Sequence, residues 1–146
     1  MDPVRFLDLA KLLKGGTASA EMCRTAIGRA YYAAFNVGVE ALLAIGIQPS
    51  QSPSGHGELR NCLGACNDPE LRRANARLGA LHSRRIRADY QMSDPIVETR
   101  AEADTACHEA TEVINLFTKL RHDVSKDAVR DEMKRYARDI LKLPVR

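Results

Sequence analysis

Apolar positions recur every three to four residues along most of the chain and nowhere alternate strictly, a pattern that predicts helices throughout. Leu7, Leu9, Ala10, Leu12 and Leu13 form a short amphipathic helix closed by Gly15-Gly16, with Thr17 or Ser19 placed to cap the next one. A much longer helix follows and carries two apolar stripes. Ile27, Tyr31, Ala34, Gly38, Ala41 and Ile45 make one, and Gly28, Tyr32, Phe35, Val39 and Leu42 make the other. A helix apolar on two faces is central in a bundle, or is covered by a second subunit as well as by its own core. The Pro- and Ser-rich turn 46–55 ends it.

Residues 56–66 read as a shorter helix. Asn67-Asp68-Pro69 then announces another, with Asp68 as N-cap and Pro69 at the first helical position. This helix runs to about Tyr90 and places Leu71, Ala74, Leu78, Leu81 and Ala88 on one side; Ser93-Asp94-Pro95 breaks it. Ala103, Ala106, Cys107, Ala110, Val113, Ile114, Phe117 and Leu120 predict a last long helix whose small residues permit close approach. The charged segment 126–141 has Val129, Met133, Tyr136 and Ile140 as its stripe and is expected to pack across the bundle or against a partner. Residues 1–146 are thus read as one all-α domain, a bundle of four main helices plus extras, with its core in 5–120 and a C-terminal helical extension over 121–146. There is no internal repeat, heptad array or low-complexity tract.

With 146 residues and 45% hydrophobic side chains the chain can bury one ordinary core. The longest apolar run, 41–47, is too short to cross a bilayer, and the N-terminus mixes charge at helical spacing instead of resembling a signal peptide. A soluble, cytoplasmic protein with no membrane contact is expected. Cys23, Cys62, Cys66 and Cys107 lack paired CxxC spacing, so reduced, buried thiols are favoured over a metal held by His56, Cys62 and Cys66.

Charge changes the picture most. Residues 71–88 contain six Arg and no acid, a local charge of +6 in a chain whose formal net charge is +3. At about 100° per residue Arg73, Arg77, Arg84 and Arg87 fall on one face, a geometry suited to successive phosphates through bidentate guanidinium contacts. A solvated Arg face is the plainer alternative. Arg85 and Asp89 instead fall within the apolar stripe, with His82 beside them and Tyr90 just beyond. One reading is a partly buried ion pair that fixes packing. The other is a polar cleft in which Arg stabilises phosphorane-like charge and His82 or Tyr90 moves protons, the candidate catalytic set being His82, Arg84, Arg85, Arg87, Asp89 and Tyr90. Tyr31, Tyr32 and Arg29 on the long helix are placed to reach the same cleft, though Tyr31 and Tyr32 equally suit a core with satisfied hydroxyls. His56 reads as a solvated cap, and His108 and His122 carry no evident chemistry. Without a glycine-rich phosphate loop, a Ser-His-Asp order or an HExxH motif, no cofactor and no metal are expected.

The strings RAYYAAFNVGVEALLAIGI (29–47), GHGELRNCL (55–63) and RRIRADY (84–90), followed by the alanine-rich last long helix, resemble the HEPN domain, most of all its small stand-alone prokaryotic branch. The resemblance covers about residues 5–120. It implies a four- to five-helix up-and-down bundle that forms homodimers, binds nucleotide or RNA, and acts beside a minimal nucleotidyltransferase in toxin-antitoxin or defence-type systems. Catalytic members are metal-independent endoribonucleases in which an Arg and a His stand about four to six residues apart. In RRIRADY the position for that His holds Ala88 or Asp89. The formal match, Arg77 with His82, projects about 140° apart on an ideal helix, which argues against joint action. Binding therefore ranks ahead of ribonuclease activity, and a purely structural dimerisation adaptor is the third reading.

Overall fold

Small side chains let one helix sit at the centre of this fold. In a computed structural model that describes residues 1–146, α2 (Ala20–Ala44) buries Ala26, Ala30, Ala33, Ala34 and Ala41 completely. Neighbouring backbones approach closely there, because an alanine face adds little radius. Around it lie α1 (Val4–Leu13), α3 (Ser54–Gly64), α4 (Pro69–Tyr90) and α5 (Arg100–His122), with α6 (Asp127–Asp139) packed against α3. Short 3₁₀ turns at Ile96–Glu98 and Val124–Lys126 precede α5 and α6. The protein is an all-α helical bundle, and none of its helices is long and apolar enough to cross a membrane.

The helix ends follow the local chemistry. Ser19 caps α2 by accepting from the Met22 N–H, Asp68 caps α4 by accepting from Leu71 N–H at 3.0 Å, and Thr99 caps α5 by accepting from Glu102 N–H. Asp68 has a second task, since its other oxygen accepts from buried Lys126 Nζ at 2.7 Å and ties the start of α4 to the start of α6. The expected stripe of α4 is the buried one: Leu71, Ala74, Leu78, Leu81 and Ala88.

One core joins all six helices, from Leu7 of α1 to Met133 and Ala137 of α6 and Leu143 beyond it. The expected α6 stripe needs one correction. Ile140 is 64% exposed because α6 has ended at Asp139, and Ala137 is buried in its place. The two stripes of α2 also part company. Ile27, Tyr31, Ala34 and Ala41 are in the core, whereas Tyr32, Phe35 and Val39 are only half-buried and form the floor of a cavity.

The chain beyond α6 returns to the end of α2. Arg146 N–H donates to Gly46 O at 2.8 Å, Gln48 N–H donates to Pro144 O at 3.0 Å, and Ile47 and Val145 form an isolated antiparallel bridge. Gly46 stands at φ +94°, and a Cβ there would meet Arg146 O at 2.9 Å, so both conformation and space require glycine.

Candidate functional site

Tyr31 and Phe35 lie one turn apart on α2, and the start of α3 is folded back onto them. Gly55 makes this possible: a Cβ there would stand 2.5 Å from Ser50 O, so loop 48–53 closes tightly only over a glycine. The result is a stack of rings from three helices. Phe35 and His56 lie 4.0 Å apart with planes 9° from parallel, and His82 of α4 stacks on Tyr31 at 5.0 Å and on His56 at 5.6 Å.

The Tyr31 hydroxyl meets His56 Nδ1 in a short contact. Tyr31 is 2% exposed and its hydroxyl has no other hydrogen-bond partner, so its proton is satisfied only by donating to Nδ1. Neutral His56 then carries its proton on Nε2. Burial raises the Tyr31 pKa against the pull of Arg85, which keeps this hydroxyl protonated. Burial, the neighbouring imidazole of His82 and the charge of Arg85 hold His56 below its ordinary value. Burial and the charges of Arg85 and Arg60 do the same to His82. Both imidazoles are neutral at neutral pH.

Arg85 stands in front of this stack. Its Nη2 donates to the Tyr32 hydroxyl at 3.0 Å, and its guanidinium lies over the rings of Tyr32 and Tyr90 at 5.3 and 5.6 Å. The expected i,i+4 pair with Asp89 forms, with Asp89 Oδ2 at 2.8 Å from Arg85 Nε. The carboxylate oxygen lies off the N–H direction, however, and buried Nε makes no hydrogen bond. The charges are neighbours while a donor of the fork is left unused.

A cavity of about 610 Å³ opens beside Arg85. Tyr32, Phe35 and Val39 of α2 form its floor, loop 48–53 one wall, and His56, Arg85 and Tyr90 the other. A guanidinium, an imidazole N–H and the Tyr32 O–H are donors around a space with no carboxylate among its lining residues. Such a set suits a bound oxyanion.

The structure separates the remaining candidates. His82 lies behind the cavity, in the stack. Asp89 packs beside Gly28, where a Cβ would stand 3.6 Å from its Oδ1. The four-arginine face points elsewhere. Arg84 is held between Glu102 and Glu109 of α5 at 3.0 and 2.8 Å, and Arg87 pairs with Asp94 at 2.7 Å. Arg73 and Arg77 line a separate, smaller hollow of about 290 Å³ with Glu70, Glu112 and Lys119. None of these four lines the large cavity; Arg85 does.

His56 is the residue that sequence reasoning misplaced. It is not a solvated cap but a half-buried member of the stack. Its signal was the aromatic pair Tyr31 and Phe35, one turn apart and in need of a flat partner. Cys62 and Cys66 are buried free thiols, both pushed up to about 12, by burial and then by the carboxylates of Glu58 and Glu132 respectively. His56, Cys62 and Cys66 do not converge as a metal-ligand set.

The chain matches no protein-family model, no curated protein and no solved structure. Fold and site thus define a helical bundle with one arginine-centred, aromatic-floored cavity.

Proposed function

We propose that the protein is a HEPN-type module that binds nucleotide or RNA phosphate at Arg85 and, as a homodimer, acts with a nucleotidyltransferase partner in a toxin-antitoxin or defence-type system. The binding half rests on one observation: Arg85 lines the cavity with a guanidinium whose one hydrogen bond runs from Nη2 to Tyr32, beside Tyr32 and His56 and with no carboxylate in the lining. The partner and the biological setting rest on the resemblance of RRIRADY and the YYAAF helix to that family.

The test is equilibrium binding of ATP and of a short single-stranded RNA at low salt, for wild type and Arg85→Ala, both confirmed folded by circular dichroism. A hydrogen bond to a charged group contributes about 1.5–3 kcal/mol, so the substitution should weaken binding by at least about tenfold. Absence of binding by the wild type, or equal binding by both, would overturn the reading.

A second reading, metal-independent endoribonuclease, is favoured by the presence of His56 in the same cavity as Arg85. An imidazole stands beside the guanidinium although RRIRADY itself lacks the His. Cleavage of an RNA pool in EDTA, lost in both Arg85→Ala and His56→Ala, would support it; no cleavage by the wild type would remove it.

A further inference from the structure

We infer that the cavity takes one whole unpaired nucleotide, with its phosphate on Arg85 and its base against loop 48–53, where Gln48 and Gln51 select the base. This rests on the phosphate reading of Arg85 and goes beyond it, because a phosphate alone would occupy a small part of the space.

The charge of the lining sets the number of phosphates. Arg85 is the one cation among the fourteen lining residues, and none is acidic. Asp89 Oδ2, 2.8 Å from Arg85 Nε, already shares this charge from behind, so the site suits at most one anionic group, and a triphosphate would carry charge that nothing there neutralises. Neighbouring cations are turned away, since Arg29 lies over Phe6 and Tyr32 and Arg84 and Arg87 are paired with carboxylates.

The rest of the lining fits the uncharged part of a nucleotide. At about 610 Å³ the cavity falls within the range of small-molecule sites, about 300–1,000 Å³. Phe35, Val39 and Leu43 supply apolar surface, and Tyr90, 68% exposed at the rim, offers an aromatic face for stacking. Three side-chain amides accompany them, Asn36 from α2 itself and Gln48 and Gln51 from the loop. Asn36 Nδ2 donates to Tyr32 O, which leaves its Oδ1 free, and the amides of Gln48 and Gln51 make no hydrogen bond within the chain. Side-chain amides pair a donor and an acceptor with the edge of a base, as in the bidentate contact of Asn or Gln with adenine.

The loop that carries Gln48 and Gln51 is held in place while these two side chains are free. Ser50 N–H and Oγ donate to the Glu58 carboxylate at 2.7 and 2.6 Å, and Gln48 N–H donates to Pro144 O at 3.0 Å. A backbone held at Gln48 and at Ser50, with the side-chain amides of Gln48 and Gln51 unengaged, is a preorganised recognition surface, which lowers the ordering cost of binding.

The experiment is calorimetric titration of AMP, GMP, CMP, UMP, ribose 5-phosphate and orthophosphate, with a ten-nucleotide single-stranded RNA for comparison. It uses wild type, Arg85→Ala and the double variant Gln48→Ala/Gln51→Ala; both glutamines are exposed, so the double variant keeps the fold. At least one nucleoside monophosphate should bind tenfold or more tightly than ribose 5-phosphate. The double variant should lose that preference and keep its ribose 5-phosphate affinity, and Arg85→Ala should weaken all of them. Equal binding of ribose 5-phosphate and every nucleotide, binding of RNA but of no monomer, or an unchanged preference in the double variant would each overturn the inference and leave the phosphate reading standing. Binding of none of the compounds would remove both.

Discussion

The hydroxyl of Tyr31 on α2 meets Nδ1 of His56 on α3, and this single contact decides which nitrogen of His56 faces the rest of the site with a proton. Phe at position 31 would keep the ring stack and remove only the hydroxyl. In the wild type, nitrogen-15 correlation spectra should show the Nε2–H tautomer of His56; in Tyr31→Phe both tautomers should appear. Loss of one ordinary hydrogen bond costs about 0.5–1.5 kcal/mol in stability, and phosphate affinity should fall by about two- to tenfold as the donor is no longer fixed. A single Nε2–H tautomer in the variant would refute this role of Tyr31.

Stability should fall as pH drops below about 6.5. The folded protein holds both His56 and His82 below the ordinary value of 6.5, through burial first and then through His82 and Arg85 at His56 and through Arg85 and Arg60 at His82. The unfolded chain takes up protons at that ordinary value while the folded one resists, so unfolding binds protons and stability rises with pH through the window. The contribution is complete above pH 6.5 and declines below it. Urea unfolding at pH 7.5, 6.0 and 5.0 should show this slope, and His82→Phe should flatten it. The lowered carboxylates do not blur the test: Asp68, for instance, is raised by burial but pulled below 3.8 by its bonds from Lys126 and Leu71, so its loss comes at more acidic pH.

Helices and core faces were legible because they are local and periodic. The buried stripe of α4 and the Asp68 cap follow from spacing alone, and Ser19 is one of the two residues, with Thr17, that spacing offers as the cap of α2. The Arg85–Asp89 pair was legible for the same reason, since i,i+4 contact is fixed by the helix itself. What joined residues across the fold was not. Glu102 and Glu109 sit seven apart on one face of α5 and so complement Arg84, but nothing in α4 says that α5 is its neighbour on that side. The cavity was invisible for a like reason: its wall is an irregular loop whose position depends on Glu58 and on the chain after α6. Arg24 is the extreme case, an arginine in an apolar helix whose carboxylate partner, Glu98, is 74 positions away.

Arg24 closes the end of α4, and its removal should destabilise the whole bundle. It is 9% exposed; its Nη1 donates to Ala88 O at 2.8 Å, and its Nη2 donates to the carbonyls of Gln91, Met92 and Asp94 and to Glu98 Oε1. Helix α4 ends at Tyr90, and these are the carbonyls of its last turn and of the chain that leaves it. Arg24→Met keeps the length of the side chain and strands those acceptors and Glu98. The expected cost is about 3–5 kcal/mol, the range for breaking one side of a buried ionic network. Arg24→Lys should recover only part of it, because an ammonium cannot reproduce the planar fork. Chemical denaturation of the three proteins measures both steps.

Two glycines in helices should respond to alanine with opposite signs. Gly38 lies in the middle of α2, where a Cβ would stand 2.7 Å from Leu59 Cδ2 and 2.8 Å from Phe117 Cζ. Leu59 and Phe117 are themselves fully buried and have no room to retreat. Gly57 lies in α3 with nothing within 4 Å of the same added atom. In a helix interior alanine is favoured over glycine by about 0.5–1 kcal/mol, and Gly57→Ala should gain that amount. Gly38→Ala gains the same propensity but forces an overpacked core, which costs about 1–3 kcal/mol, so the net change is destabilising and its size reports how far α3 and α5 can shift away from α2. Urea midpoints moving in opposite directions would support this account of α2 as the close-packed centre; two stabilised variants would show that the helices around Gly38 yield without cost.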